Sequence, residues 1–146
     1  MHMQARPPDR ANASRVESRP MRLLVVEDSP LLRKMFGLAF PQQFNELHQA
    51  ENGREAMNLL AATREPFAVV LLDLRMPDMN GVEFIRAVRE LPLHGRTPIV
   101  LTTAEPEDSE LLREATGLGV AAVVRKPWAP QHLRVVVQQV LDPPTG

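Results

Sequence analysis

No cysteine occurs in the chain, which excludes disulfide staples and thiolate metal centres and fits a reducing compartment. Neither sign of charge dominates: 17 Lys+Arg against 18 Asp+Glu leave a formal charge of -1. Composition therefore asks for no bulk attraction to nucleic acid. No apolar run approaches the roughly 18 residues of a membrane-spanning helix. No secretory apolar segment follows the N-terminus, and no internal repeat is visible. These absences leave a cytoplasmic chain with neither nucleic acid nor membrane as an expected partner. At 146 residues it is long enough for one domain with a real core.

The ends differ from the middle. Residues 1–20 carry Arg6, Pro7, Pro8, Arg10, Arg15, Arg19 and Pro20 and almost nothing apolar. Such a segment buries too little surface to offset its ordering entropy, so it reads as a flexible Pro/Arg-rich tail. Residues 142–146, Asp-Pro-Pro-Thr-Gly, read as a helix stop followed by a tail or linker stub. The expected domain is 21–141.

Within it the apolar pattern alternates between two periods. Leu23-Leu24-Val25-Val26 is a short continuous run, the mark of a strand covered on both faces. Asp28-Ser29-Pro30 is a helix start, and the helix it opens puts Leu31, Leu32, Met35, Phe36 and Ala39 on an inner face. Residues 44–50 form a weaker strand, Asn52-Gly53 a turn, and a helix runs from about Arg54 to Thr63. Phe67 to Leu72 is the strongest buried strand. A loop with Pro77 and Gly81 leads into a helix through about Glu90. Pro98 to Thr102 is the fourth strand. Pro106 opens a helix that ends near Gly117-Leu118-Gly119, a glycine C-cap. Val120 to Val124 is the fifth strand, and Pro130 begins the last helix, with Leu133, Val137, Val140 and Leu141 inward. Five β-α units imply an α/β fold, a five-stranded parallel sheet with helices on both faces.

Sites in such sheets lie at the carboxyl ends of the strands. There the chain carries Glu27-Asp28 after strand one, Asp73 after strand three, Thr102-Thr103 after strand four and Arg125-Lys126-Pro127 after strand five. Three converging carboxylates repel unless a cation relieves them. Oxygen ligands select a hard ion, and Mg²⁺ in particular accepts one or two carboxylates together with phosphate oxygens. Lys126 supplies a mobile point charge for a phosphoryl group, and a threonine hydroxyl can donate to one of its oxygens. An aspartate carboxylate can act as nucleophile and become an aspartyl phosphate.

Glu27-Asp28, Asp73 with Met76-Pro77 and Gly81, Thr103-Ala104 and Lys126-Pro127, in that order and each at its strand end, resemble the response-regulator receiver domains of two-component signalling. The resemblance covers about residues 21–141. It implies a CheY-like, flavodoxin-like (βα)5 fold with strand order 2-1-3-4-5. It further implies a phosphoacceptor signalling domain rather than an enzyme, catalysing at most its own phosphorylation and dephosphorylation. Asp73 matches the phosphoacceptor. Asp28 and Asp73 match carboxylate positions at Mg²⁺ (or Mn²⁺), Glu27 the acid acting through water, and Arg75 the residue whose backbone carbonyl is a ligand. Thr103 matches the switch hydroxyl, preferred over Thr102 because the Thr103-Ala104-Glu105 run resembles the family's; strand alternation lets only one of the two reach the site. Lys126 matches the lysine that pairs with the phosphoryl group, before a bond to Pro127 that is often cis. The side chain at position 75, expected to face solvent, is one that tunes dephosphorylation. The partners implied are a sensor histidine kinase or phosphotransfer protein, and an effector or output domain on the fourth helix, fifth strand and last helix. Val135 and Val136 widen the apolar stripe there, as for a partner or a homodimer.

Val123 departs from the pattern, which often has Tyr or Phe there as a rotating switch. A valine has no comparable swing, so output is expected through the loop and helix after Thr103. Trp128 reads as a packing residue, and His2, His48, His94 and His132 are too scattered to form a ligand set. Three other readings fit the chain less well. A receiver-like interaction module that is never phosphorylated is disfavoured by the complete acidic set and Lys126. A metal-dependent phosphatase with an aspartate nucleophile would need a second acid where Arg75 stands. A flavin protein would need a Ser/Thr/Gly-rich loop after strand one, where this chain has acidic Glu27-Asp28-Ser29-Pro30.

Overall fold

The computed structural model describes residues 21–43 and 45–142. The 1–20 tail, residue 44 of the second expected strand, and 143–146 of the C-terminal stub lie outside the described residues. Strands and helices alternate as β1 (Met21–Val26), α1 (Pro30–Ala39), β2 (Asn45–Ala50), α2 (Gly53–Ala62), β3 (Val69–Asp73), α3 (Gly81–Glu90), β4 (Ile99–Thr103), α4 (Glu110–Gly117), β5 (Ala122–Arg125) and α5 (Pro130–Leu141). Every strand pairing is parallel and the order is β2-β1-β3-β4-β5, the expected architecture.

The continuous apolar runs are explained by two cores, one on each face. Alternation along each strand sends Leu24, Val26, Val70, Leu72, Ile99 and Leu101 toward α2, α3 and α4. Leu23, Val25, Val69, Leu71, Val100 and Val124 go to the opposite face, against α1 and α5. A polar residue can interrupt such runs only where they emerge, and β3 is buried up to Asp73, β4 up to Thr103.

Local chemistry sets the helix starts. Ser29 caps α1, its Oγ accepting from the Leu32 N–H at 3.2 Å, with Pro30 in the first turn. Asn52 caps α2, and Asn80 with Glu83 forms a capping box on α3. The α2 start is also held from a distance, because both Asp78 carboxylate oxygens accept N–H bonds, from Gly53 at 3.1 Å and Arg54 at 2.9 Å. Several boundaries move. Helix α4 begins at Glu110, not Pro106, because the Ser109 N–H bonds to the Pro106 carbonyl in a turn and Ser109 then supplies the cap. Gly119 takes the left-handed conformation (φ +86) after α4, as the glycine C-cap reading requires. Strand β5 begins at Ala122 and runs on to Arg125, and β3 begins at Val69. Leu31 is a correction: it lies on the outer face of α1, 68% exposed, while Phe36 and Ala39 are buried.

Gly81 must be glycine because the chain passes close to it. A Cβ there would stand 2.7 Å from Leu74 Cδ1 and 3.1 Å from both the Leu74 Cα and its carbonyl oxygen. Backbone cannot yield as a side chain can. Gly81→Ala is therefore expected to cost roughly 1–3 kcal/mol, read as a lower urea midpoint; an unchanged midpoint would contradict this packing.

Candidate functional site

The loops after β1, β3, β4 and β5 meet at one end of the sheet. Carboxylate oxygens of Glu27, Asp28 and Asp73 lie within 4.8 Å of one another, the one such cluster of metal-ligating residues among the described residues. Glu27 is 1% exposed and Asp73 7%, whereas Asp28 is open to solvent. The Lys126 ammonium enters from the β5 end, 3.1 Å from Glu27 Oε1 and 3.3 Å from Asp73 Oδ1. Its peptide bond to Pro127 is cis. The Ser29 N–H donates to Glu27 Oε2 at 3.2 Å and the Arg75 N–H to Asp73 Oδ1 at 3.3 Å. Since Ser29 caps α1, Asp28 is not needed as the cap and its carboxylate is left to the cluster. Arg33 ties the β1–α1 loop in place by donating to the carbonyls of Glu27 (2.8 Å) and Asp28 (3.1 Å).

Three carboxylates gather where Lys126 supplies one ammonium. Burial pushes the Glu27 carboxyl up to about 7, and repulsion from Asp73 adds to it; the Ser29 N–H and Lys126 oppose. Asp73 is also raised, by burial first, against the pull of Lys126 and the Arg75 N–H. A hard divalent cation fits this donor set: it would match the missing charge with oxygen ligands alone.

A raised carboxyl pKa fixes the sign of the stability profile. Protonated Glu27 favours the fold fully below its ordinary value of 4.5, and that contribution is lost as pH rises toward 7. In chelator, stability is expected to fall by on the order of 3 kcal/mol between about pH 4.5 and pH 7. Mg²⁺ should restore much of it at the upper end. Urea midpoints at about pH 5 and pH 8, with and without Mg²⁺, measure this; a flat profile without metal would mean that the acidic cluster is not strained.

The sequence-predicted residues do not all converge in the same way. Asp73, Glu27, Asp28 and Lys126 are brought together. Thr103 stands at the end of β4, but its hydroxyl accepts the Glu105 N–H at 2.9 Å, turned into the β4–α4 loop. Thr102 pairs in register with Asp73, yet its hydroxyl is buried with no hydrogen-bond partner. The Arg75 side chain is 69% exposed, as expected, but it is not free. It grips Glu105 through two bonds, Nε to Oε2 at 2.7 Å and Nη2 to Oε1 at 3.1 Å. The bond from Arg75, then that from Ser109, holds the Glu105 carboxyl below its usual range. The sequence assigns Glu105 no role of its own beyond the run that favours Thr103; Arg75 on a different loop is what makes it matter.

Other residues resolve as packing. Trp128 is 5% exposed with its ring 4.6 Å from Phe36, joining the β5–α5 loop to α1. His94 is buried, its Nε2 3.1 Å from the Leu60 carbonyl, and it is not among the clustered ligating residues Glu27, Asp28 and Asp73. Val123 packs partly against the α2–α3–α4 core. Of Val135 and Val136 on α5, Val136 packs against the opposite core and Val135 is 52% exposed. No helix among the described residues is long and apolar enough to cross a membrane.

Residues 23–138 match the family model described as response regulator receiver domain. The chain is 40% identical over 122 residues to regulatory protein AtoC of Escherichia coli (strain K12), covering 83% of this chain and 25% of that protein. It is 31% identical over 119 residues to transcriptional regulatory protein SrrA of Staphylococcus aureus (strain NCTC 8325 / PS 47), covering 82% and 47%. It thus spans between a quarter and about half the length of these curated relatives. Among solved structures it is similar to chemotaxis response regulator CheY4 of Vibrio cholerae, with TM-score 0.76 and 32% identity over 84% of this chain and all of that one. It is also similar to response regulator DrrB of Thermotoga maritima, with TM-score 0.71 and 27% identity over 85% and 54%.

Proposed function

The chain belongs to the response regulator receiver domain family, and from that premise we propose that residues 21–141 are a working receiver that takes a phosphoryl group on Asp73. The observation that carries this is the buried Asp73 carboxylate, in contact with Lys126 and within 4.8 Å of the Glu27 and Asp28 oxygens. The donor is a phosphohistidine of a sensor kinase or phosphotransfer protein. An Asp73 oxygen attacks phosphorus, the phosphorus–nitrogen bond breaks, and the imidazole leaves with the bonding pair and takes up a proton from water.

Asp28, Asp73 and the Arg75 carbonyl would hold Mg²⁺, or Mn²⁺ in its place, with Glu27 acting through water. When bound, the ion supplies neutralisation of charge on the transferring phosphoryl oxygens. Lys126 supplies a positive charge 3.3 Å from Asp73 Oδ1. Phosphorylation adds roughly 1.5–2 negative charges and three acceptor oxygens. These favour a loop position in which Thr103 gives up the Glu105 N–H and donates its own hydroxyl hydrogen to the phosphoryl group. The domain catalyses no more than its own phosphorylation and dephosphorylation. It works in the cytoplasm and signals through the α4–β5–α5 surface, where exposed Val135 offers a contact for an output domain or a second copy.

Intact mass after incubation with phosphoramidate or acetyl phosphate is the test. A single phosphoryl adduct that needs Mg²⁺, disappears in chelator and is released by hydroxylamine is expected. No adduct in folded protein would favour the module that binds partners without phosphorylation.

A further inference from the structure

The acceptor loop and the β4–α4 loop are joined by a single ion pair. Arg75 is anchored beside the acceptor, since its own N–H donates to Asp73 Oδ1. Its guanidinium reaches across to Glu105. Glu105 is in turn a junction: Oε1 accepts from the Ser109 hydroxyl at 2.8 Å, and its N–H donates to Thr103 Oγ1. Ser109 Oγ also accepts the Leu112 N–H at 3.2 Å and so caps α4. One carboxylate therefore links a cation beside Asp73, the hydroxyl at the end of β4 and the first turn of α4.

Resting on the phosphoacceptor reading, we propose that Arg75 is a partner-exchanging cation. It holds Glu105 while Asp73 is bare, moves to the phosphoryl group once Asp73 carries one, and by releasing Glu105 passes the change to the start of α4. Both halves follow from the chemistry. An ion pair whose guanidinium is 69% exposed is weakly held. A phosphoryl group brings nearly two negative charges and three acceptor oxygens, two of which a planar guanidinium can bind at once. Turning the Thr103 hydroxyl toward the phosphoryl group would draw it from the Glu105 N–H that it now accepts. A Glu105 freed from Arg75 loses the second constraint on the same loop, so the two changes reinforce each other. With Val123 in place of an aromatic side chain, this gives the site a route to α4 that needs no rotating ring.

The test is nitrogen-15 NMR of the full chain with Mg²⁺, before and after phosphoramidate, with the adduct followed by intact mass. The Arg75 Nε–H signal and the Glu105 and Leu112 amide signals are expected to move together on phosphorylation. In Glu105→Ala the adduct should form while the Leu112 response shrinks. In Arg75→Ala the adduct lifetime should shorten roughly threefold, with Arg75→Lys recovering part of it. An adduct that forms while the Arg75 Nε–H signal stays at its starting position overturns the exchange and leaves the phosphoacceptor reading standing. So does a Leu112 response in Glu105→Ala equal to that of the unaltered chain. No adduct in the folded, unaltered chain overturns that reading, and the exchange with it.

Discussion

Asp73→Asn is expected to abolish phosphoryl uptake while leaving the protein folded and somewhat more stable. The side chain keeps its shape, so the 7%-exposed position is still filled and the Arg75 N–H still finds an oxygen. The nucleophilic carboxylate is gone, and an amide oxygen offers no comparable attack on phosphorus. Stability should rise because Asp73 is a source of repulsion on Glu27, second only to burial. Lys126, 3.1 Å from Glu27, keeps a partner. A gain of about 1 kcal/mol at neutral pH in chelator is the expected scale. Intact mass and a urea titration of the same preparation read both effects. Labelling retained at another residue would reject Asp73 as the acceptor, and a collapse of the fold would show that its charge is structural.

Lys126→Ala should produce the opposite pattern. It removes the one ammonium in contact with two buried carboxylates, and stripping one partner from a buried ion pair typically costs about 3–5 kcal/mol. The Lys126 side chain is 18% exposed, so the lower end of that range applies. The cost must depend on pH. Below about pH 5 Glu27 carries its proton and loses little with the lysine, whereas above 7 the variant leaves two charges uncompensated. Metal binding should persist, because no carboxylate is removed, and Mg²⁺ should recover part of the lost stability. The conformational response to phosphorylation should weaken. Unfolding at both pH values with and without Mg²⁺, followed by amide shifts after phosphoramidate, separates these effects. A variant as stable as its parent at pH 8 with a normal response would remove Lys126 from the site.

Much of this was legible in the chain. The fold followed from apolar runs too continuous for a one-faced sheet, alternating with helical spacing; a strand covered on both faces has no other way to read. The acidic set and Lys126 were legible because each interrupts such a run at the same end, where a parallel sheet gathers its loops. Leu31 shows the limit of periodicity: a broad apolar stripe on α1 does not say which edge of the stripe the core can reach, and Phe36 and Ala39 occupied that space. Pro106 shows the limit of local signals, since a proline suited to a helix start served a turn instead once Ser109 offered a better cap.

The sequence by itself determined the β-α alternation, the parallel sheet and the strand-end residues that meet, because hydrophobic burial and chain connectivity leave few alternatives. Tertiary structure alone decided the state of the site. Whether Thr103 faces Asp73 or its own loop, whether Arg75 is free or paired, and how far Glu27 is pushed toward holding a proton depend on distances between loops that are far apart in the chain. Coulombic and hydrogen-bond energies change over a few ångströms, and no local pattern in a chain encodes separations that fine.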